Sequence, residues 1–356
     1  MSRKILVMAH MGRQEAKDAA RDSCLQLHEA GLVPVISRAD LEALQEDAEP
    51  LAPVEVIEED VSLREIELVM VLGGDGSILR AAELVRSVDT PLLGVNLGHV
   101  GFLAESERSD LRESVEAIVD GRYTVEQRMT IDVTVWQGEK KVLHTWALNE
   151  ASVEKGDREK MVEVVIEVDR RPLSTFGCDG VVLATPTGST AYAFSAGGPV
   201  VWPEVEALLM VPLSAHALFS RPLVISPNSM MAVEVLTRTD ARGVLWCDGR
   251  RTTELPPGSR IEVVRSPKAV NLARMHLTPF SERLVKKFEL PTSGWRGPVP
   301  PHDAAAARTT ALPTVRRDQT AGGHAQEPQK STVGHEMPHE PDAPSHRTRD
   351  ETGEDG

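Results

Sequence analysis

Apolar positions along the chain fall into two regimes. Up to about residue 120, short unbroken apolar runs alternate with stretches of helical period. Residues 4–10, 33–37, 68–72 and 91–96 are such runs, and their length and lack of alternation predict strands buried on both faces. Between them, Ala16, Ala19, Ala20, Ser23, Leu27 and Ala30 make a narrow small-residue stripe that stops at Gly31. Ile78, Ala81, Ala82 and Val85 make one apolar helical face, which predicts a helix from Ser77, as its N-cap, to about Val88. Another helix is predicted over 111–120. Residues 39–60 are acidic and carry Pro50 and Pro53, so they read as a surface excursion with a solvated charge run. Strands alternating with helices predict a doubly wound parallel sheet, in which ligands sit beyond the carboxyl ends of the strands.

From about residue 123 to 270 the period changes to two. Val162, Val164, Ile166 and Val168 fall on one face and Glu163 and Glu167 on the other. Residues 142–148, 181–184, 230–236 and 261–264 also read as strands, and helical pattern is scarce. A β-rich second domain follows. Residues 281–290 read as a short closing helix that returns to the first domain. After Trp295 the chain has no Ile, Phe, Trp or Tyr and is expected to be disordered. The organisation read from the pattern is an α/β domain over 1–122, a β-rich domain over 123–275, a closing segment over 276–297 and a disordered tail over 298–356.

Composition narrows the function. Hydrophobic residues make up 41% of 356, enough for two cores. The formal net charge of −15 argues against a nucleic-acid-binding surface. No stretch is apolar enough to span a membrane, and the first residues lead into a strand rather than a signal segment, so a cytoplasmic protein is expected. Cys24, Cys178 and Cys247 read as reduced thiols used for packing. The tail histidines 302, 324, 335, 339 and 346 lack the tight spacing of a metal site.

The strand at 68–72 stops in Gly73-Gly74-Asp75-Gly76 before the helix begins. Glycines with a helix N-terminus make a cradle for phosphate. A carboxylate beside phosphates is explained if Asp75 meets a metal carried by them or takes a proton from an attacking hydroxyl. The alternative is a tight turn in which Asp75 only caps backbone amides. A second glycine loop, Asn96-Leu97-Gly98-His99-Val100-Gly101, ends the strand at 91–96, with His99 able to reach a ligand or stand in solvent. Asn149-Glu150 at a strand end can form a fork for vicinal hydroxyls or an adenine edge, or be an ordinary turn. Thr185-Pro186-Thr187-Gly188-Ser189-Thr190-Ala191-Tyr192 supplies hydroxyls, free amides and a ring able to stack on a base. Cys247-Asp248-Gly249-Arg250 reads as a hairpin turn that brings positive charge near phosphates. A Walker loop, the protein-kinase motif set, a dinucleotide Gly-x-Gly-x-x-Gly and zinc-type Cys/His spacing are all missing.

The two glycine loops, Asn149-Glu150, Asp179-Gly180 and residues 185–192, in this order and spacing, resemble the NAD kinases. An actinobacterial flavour shows in Cys178-Asp179-Gly180, Ala215-His216-Ala217-Leu218-Phe219 and Gly294-Trp295-Arg296-Gly297. The resemblance implies an α/β domain paired with a β-sandwich, with the site between them. It implies transfer of a phosphoryl group from ATP, or in some members inorganic polyphosphate, to the 2′-hydroxyl of the adenosine ribose of NAD, with a divalent cation such as Mg²⁺. By this resemblance Asp75 would be the catalytic base, with Gly73, Gly74 and Gly76 forming the phosphate loop. Asp75, Gly76, Arg80, Asn149, Glu150, Lys160, Asp179, Thr187, Thr190, Ala191, Tyr192, Ala193, Phe194, Ser195 and Arg250 would line the NAD site. Gly177 stands where ATP-restricted members tend to carry a charge, which leans towards polyphosphate use as well. Family members are usually dimers or tetramers, so a homo-oligomer is expected. Two other readings share features of the chain: a diacylglycerol-type lipid kinase with the same Gly-Gly-Asp-Gly loop, and a non-catalytic NAD sensor.

Overall fold

The computed structural model describes residues 2–47, 49–98, 101–104, 106–107, 110–238, 240–275 and 279–292. His99, the Gly294–Gly297 motif and the tail over 298–356 lie outside the described residues.

The first sheet runs, from one edge, through Glu55–Val56, Val33–Ile36, Lys4–Ala9, Ile66–Leu72, Leu92–Asn96, Val270–Arg274 and Thr124–Arg128. Ser106–Glu107 also pairs with Leu92–Asn96. All pairings are parallel except that between Val270–Arg274 and Thr124–Arg128. The strand Ile66–Leu72 shows why its sequence has no polar alternation. Leu68, Met70 and Leu72 join one core with the helix Gln14–Glu29, while Val69 and Val71 join another with the helix Asp75–Val85. Helices thus cover both faces, as the doubly wound pattern requires. The chain runs outward from Lys4–Ala9 to one edge, then resumes on its other side with Ile66–Leu72. The direction of winding reverses between these two strands, and a crevice opens beyond their carboxyl ends.

Two sheets follow, each with antiparallel pairing throughout. One contains Leu223–Ile225, Leu208–Leu213, Gly180–Ala184, Glu150–Lys155, Gly243–Cys247 and Arg251–Leu255. The other contains Arg171–Cys178, Val162–Val168, Met231–Val235, Ser259–Arg265, Ile131–Gln137 and Lys140–Ala147. Their inward faces share one core, with Val153, Val181, Leu183 and Met210 from one sheet and Val162, Val164, Val233 and Ile261 from the other. This is a β-sandwich. Asn149 and Asp179 stand where the chain crosses from one sheet to the other. Two strands at the margins of this region, Thr124–Arg128 and Val270–Arg274, complete the first sheet instead.

Several local expectations change. Residues 39–60 are not a bare excursion: Arg38–Gln45 is a helix whose N-cap Ser37 accepts a hydrogen bond from the Asp40 amide, and Glu55–Val56 extends the sheet. Leu44, 1% exposed, anchors that helix in the core. The phosphate-loop helix begins at Asp75 and ends at Val85, with Gly74 as its N-cap, so Ser77 is not the cap. Instead Ser77 packs on Gly73, where a Cβ would come within 2.4 Å of its hydroxyl. The closing helix spans Phe280–Phe288. Cys24, Cys178 and Cys247 are free, buried in cores, and burial pushes each thiol up to about 12.

The sheet packs tightly on the helix Asp75–Val85 and the loop 101–104 at Gly94, where a Cβ would lie 2.5 Å from Ile78 Cδ1 and 3.0 Å from Ala104 Cα. Gly94→Ala is expected to destabilise the fold by about 1–3 kcal/mol through overpacking. The midpoint of denaturant unfolding checks this, and an unchanged midpoint would contradict the packing.

Candidate functional site

Three strand ends, after Ala9, Leu72 and Asn96, open together into a cavity of about 490 Å³. Met8, Leu72 and Ala16 give it an apolar floor, and Gly73, Gly74, Gly76, Asn96 and Gly98 bring backbone to its wall. Arg13, Arg80 and Arg250 converge on it, with His10. A chain of net charge −15 therefore concentrates three arginines at one crevice. Arg250 arrives from the sandwich hairpin and also pairs with Glu83 at 3.2 Å, so the cavity is shared by both halves.

Asp75 is half-buried between Gly74 and Gly76, which line this cavity, but is not itself one of the lining residues. Its Oδ2 accepts from the Phe102 amide at 3.1 Å and its Oδ1 from the Leu103 amide at 3.0 Å. The carboxylate therefore ties the two glycine loops together. Gly101 makes the approach possible, since a Cβ there would fall 2.3 Å from Asp75 Oδ1. The amide-capping reading of Asp75 is realised in part, but across loops rather than within its own turn. Each oxygen keeps accepting capacity beyond these single bonds.

A second recess, of about 290 Å³, is lined by Glu150, Ser152, Glu154, Tyr192, Trp246 and Gly249. Gly249 and Arg250 are neighbours, so one turn serves both openings. Tyr192 and Trp246 are each 37% exposed and offer ring faces. Glu150 is 7% exposed, and its Oε2 has no hydrogen-bond partner. Burial, then the charge of Asp248, pushes its carboxyl up to about 8, against one hydrogen bond from the Tyr192 amide. Burial raises Asp248 too. Asp248, however, accepts from the Leu148 and Asn149 amides and pairs with Arg251 at 2.7 Å. Of the two carboxyls Glu150 is therefore the one that holds a proton more readily, and a protonated carboxyl can both donate and accept.

The Thr185–Tyr192 loop is built from the inside. Thr185 donates to the Leu148 carbonyl at 2.6 Å and accepts from the Gly188 amide, and Ser189 bonds both the carbonyl and amide of Val201. A Cβ on Gly188 would lie 2.0 Å from the Asn149 carbonyl oxygen, so only glycine lets this loop lie against the Asn149-Glu150 corner.

The structure brings Gly73, Gly74, Gly76, Arg80 and Arg250 to the first cavity, and Glu150 and Tyr192 to the second. Asn149 and Thr187 are buried at the loop's base, and Thr190 and Ala191 are half-buried beside them. Asp179 bonds Lys155 at 2.7 Å. Ala193 is fully buried in a small core with Val182 and Leu209, so its side chain faces away from any opening. Phe194 stacks on Phe288 of the closing helix at 4.4 Å, and Ser195 is exposed next to it. Lys160 stands exposed in the bend before Val162–Val168 and lines neither recess. Sequence reading missed His10, Arg13 and Trp246. The first two follow a strand end at the winding reversal, and Trp246 directly precedes the Cys247 turn, so position relative to these features was the available signal.

The family model described as the ATP-NAD kinase N-terminal domain matches residues 5–123, and that of the ATP-NAD kinase C-terminal domain matches 148–275. An NAD kinase of Leifsonia xyli is 60% identical over 296 residues, covering 83% of this chain and 97% of its own. One from Thermobifida fusca is 56% identical over 301 residues, covering 83% and 92%. Among solved structures, yeast NADH kinase complexed with NADH superposes with a TM-score of 0.74 at 23% identity, covering 82% of this chain and 89% of that one. An NAD kinase from Archaeoglobus fulgidus in complex with ATP superposes at 0.60 and 23%, covering 82% and 100%. These two support the same fold.

The proton on Glu150 has a measurable consequence. The unfolded chain loses it near the ordinary value of 4.5, and the folded chain holds it to about 8. Stability therefore falls as pH rises through this window and levels off above it. At about 1.4 kcal/mol per unit, the loss amounts to a few kcal/mol. Glu150→Gln is expected to flatten the fall, matching the parent near pH 5 and exceeding its melting temperature above pH 8. An unchanged slope would place the proton elsewhere.

Proposed function

The chain belongs to the NAD kinase family, and on that premise we propose that it phosphorylates the 2′-hydroxyl of the adenosine ribose of NAD to give NADP. The observation that carries the reading is a carboxylate held by two amides and flanked in the chain by Gly74 and Gly76, which line an arginine-walled cradle. The donor phosphates lie on Gly73, Gly74 and Gly76 at the N-terminus of the helix Asp75–Val85, with Arg13, Arg80 and Arg250 balancing their charge. The dinucleotide extends towards the second recess, where Tyr192 and Trp246 stack on a ring and Glu150 bonds polar edges. Asn149, Asp179, Thr187 and the segment 190–195 complete the NAD side as backbone and loop contacts.

Asp75 is the base. Its oxygens are oriented by Phe102 and Leu103, and their remaining lone pairs take the 2′-hydroxyl proton as the phosphoryl group transfers. Positioning and charge stabilisation supply most of the rate in such a reaction. Among the described residues no group of three or more His, Cys, Asp or Glu is disposed to hold a metal ion. Mg²⁺ commonly takes one or two carboxylates plus phosphates and water, so a divalent cation fits here as an ion carried in by the donor, with Asp75 as the loop's acidic side chain to meet it. Bound there, it would neutralise phosphate charge. ATP is the proposed donor, with polyphosphate a second, favoured by the uncharged Gly177.

The functional halves are proposed as 1–122 and 123–275, jointed by the two strands that cross into the first sheet, with 276–297 closing and 298–356 a tail. No described helix is long and apolar enough to cross a membrane, and a cytoplasmic homo-oligomer is proposed. Leu173, Leu218, Phe219 and Val224 offer it exposed apolar surface.

The test is NADP formation from NAD with ATP and then with polyphosphate, each with and without Mg²⁺. Product with ATP and Mg²⁺ is expected. NAD binding without product under any donor would favour a sensor, and phosphorylation of diacylglycerol instead would favour the lipid kinase. Asp75→Asn is expected to lower turnover by ~10²–10⁴-fold while NAD binding, read by calorimetry, stays close to the parent. Near-normal turnover would remove Asp75 as base.

A further inference from the structure

The peptide unit between Phe102 and Leu103 is gripped from both sides. Its N–H, on Leu103, donates to Asp75 Oδ1 at 3.0 Å. Its carbonyl, on Phe102, accepts from Arg283 Nη1 at 3.1 Å. The same nitrogen reaches the Ala104 carbonyl at 3.4 Å, and Arg274 donates to the Leu103 carbonyl between them at 3.1 Å. Arg283 is only 9% exposed and belongs to the closing helix Phe280–Phe288. That helix also clasps the loop by its rings, with Phe280 and Phe288 at 5.9 and 5.6 Å from Phe102. Arg283 does not line the 490 Å³ cavity.

A trans peptide is planar, with its carbonyl and N–H pointing in opposite directions. A guanidinium that fixes the carbonyl therefore fixes the direction of the N–H. A charge-assisted bond at one end also polarises the unit and strengthens the donor at the other. We infer that Arg283 is a positioning residue for Asp75, acting through the 102–103 peptide, so that the closing helix sets the aim of the carboxylate. The inference rests on the proposed role of Asp75 as base. Its signature is a change in turnover with little change in NAD affinity, because Arg283 touches the loop and not the cavity. Small misplacements of a reacting group can lower rates by about 10²-fold.

Arg283→Met keeps a long apolar stem and removes the donors. It is expected to lower kcat by about 10–100-fold, with KM for NAD within about 3-fold of the parent. In an Asp75→Asn background the same change is expected to lower kcat by less than about 3-fold, since the group it aims is gone. Equal losses in both backgrounds, or no loss in the first, would overturn the inference. Hydrogen exchange at Leu103 gives a readout independent of turnover. It is expected to quicken in Arg283→Met and in Asp75→Asn alike, and unaltered exchange in Arg283→Met would overturn the link even if no NADP formed. Should Arg283→Met fail to fold, Arg283→Lys carries the test. A single ammonium cannot reproduce the fork, so kcat is expected to fall with the melting temperature near the parent's, and parental kcat would overturn the proposal.

Discussion

The site depends on two hydrogen bonds. Asp75 accepts the amides of Phe102 and Leu103, and so joins the loop after one parallel strand to the loop after its neighbour. The first loop leads from the strand Ile66–Leu72 into a helix, and the second from Leu92–Asn96 to the short strand Ser106–Glu107. Through the two bonds, backbone that glycine leaves free is ordered by one side chain. The same side chain is flanked by Gly74 and Gly76, which line the cradle, and it is the residue proposed as the base. Structure and chemistry thus fall on one carboxylate, and Gly101 is the residue whose missing Cβ permits it.

The helix that starts at Asp75 is anchored at its other end to the sandwich. Glu83 pairs with Arg250 and Arg251, both at 3.2 Å. Just past the helix, Arg86 lies over the Trp146 ring at 4.2 Å, with Arg251 near the same ring at 4.9 Å. Arg86 also donates to Ser266 and to the Lys268 carbonyl. Cations on an aromatic face and bonds to fixed carbonyls hold better against solvent than a lone exposed ion pair. The same contacts place Arg250 at the cavity, so the joint between the halves and the wall of the site are one construction.

Much of this was legible in the sequence because it follows from local pattern. The unbroken run at 68–72 announced a strand covered on both faces, and the alternation of Val162, Val164 and Ile166 announced a sandwich strand. Gly73-Gly74-Asp75-Gly76 announced the cradle. What stayed hidden depends on partners distant in sequence. Nothing around Asp75 says that its acceptors face Phe102 and Leu103, 27 and 28 residues on. Ser77 has the composition of an N-cap, yet the helix starts two residues earlier, at Asp75, and Ser77 lies against Gly73. Residues 39–60 looked solvated by charge, but Ser37 and Leu44 are enough to seat a short helix there. Ala193 belongs to a ligand-like segment by position and to a core by packing. Trp246 carries no motif, and it is an exposed position of its strand that lines the recess.

A crystal structure of the chain with NAD bound tests the central claim most directly, through the distance from the Asp75 carboxylate to the 2′-oxygen of the adenosine ribose. The account requires a hydrogen bond, about 2.6–3.2 Å, made while the Phe102 and Leu103 amides still hold the carboxylate. A ribose lying out of reach, with Asp75 bonded to the loop alone, would reduce that residue to a structural tie.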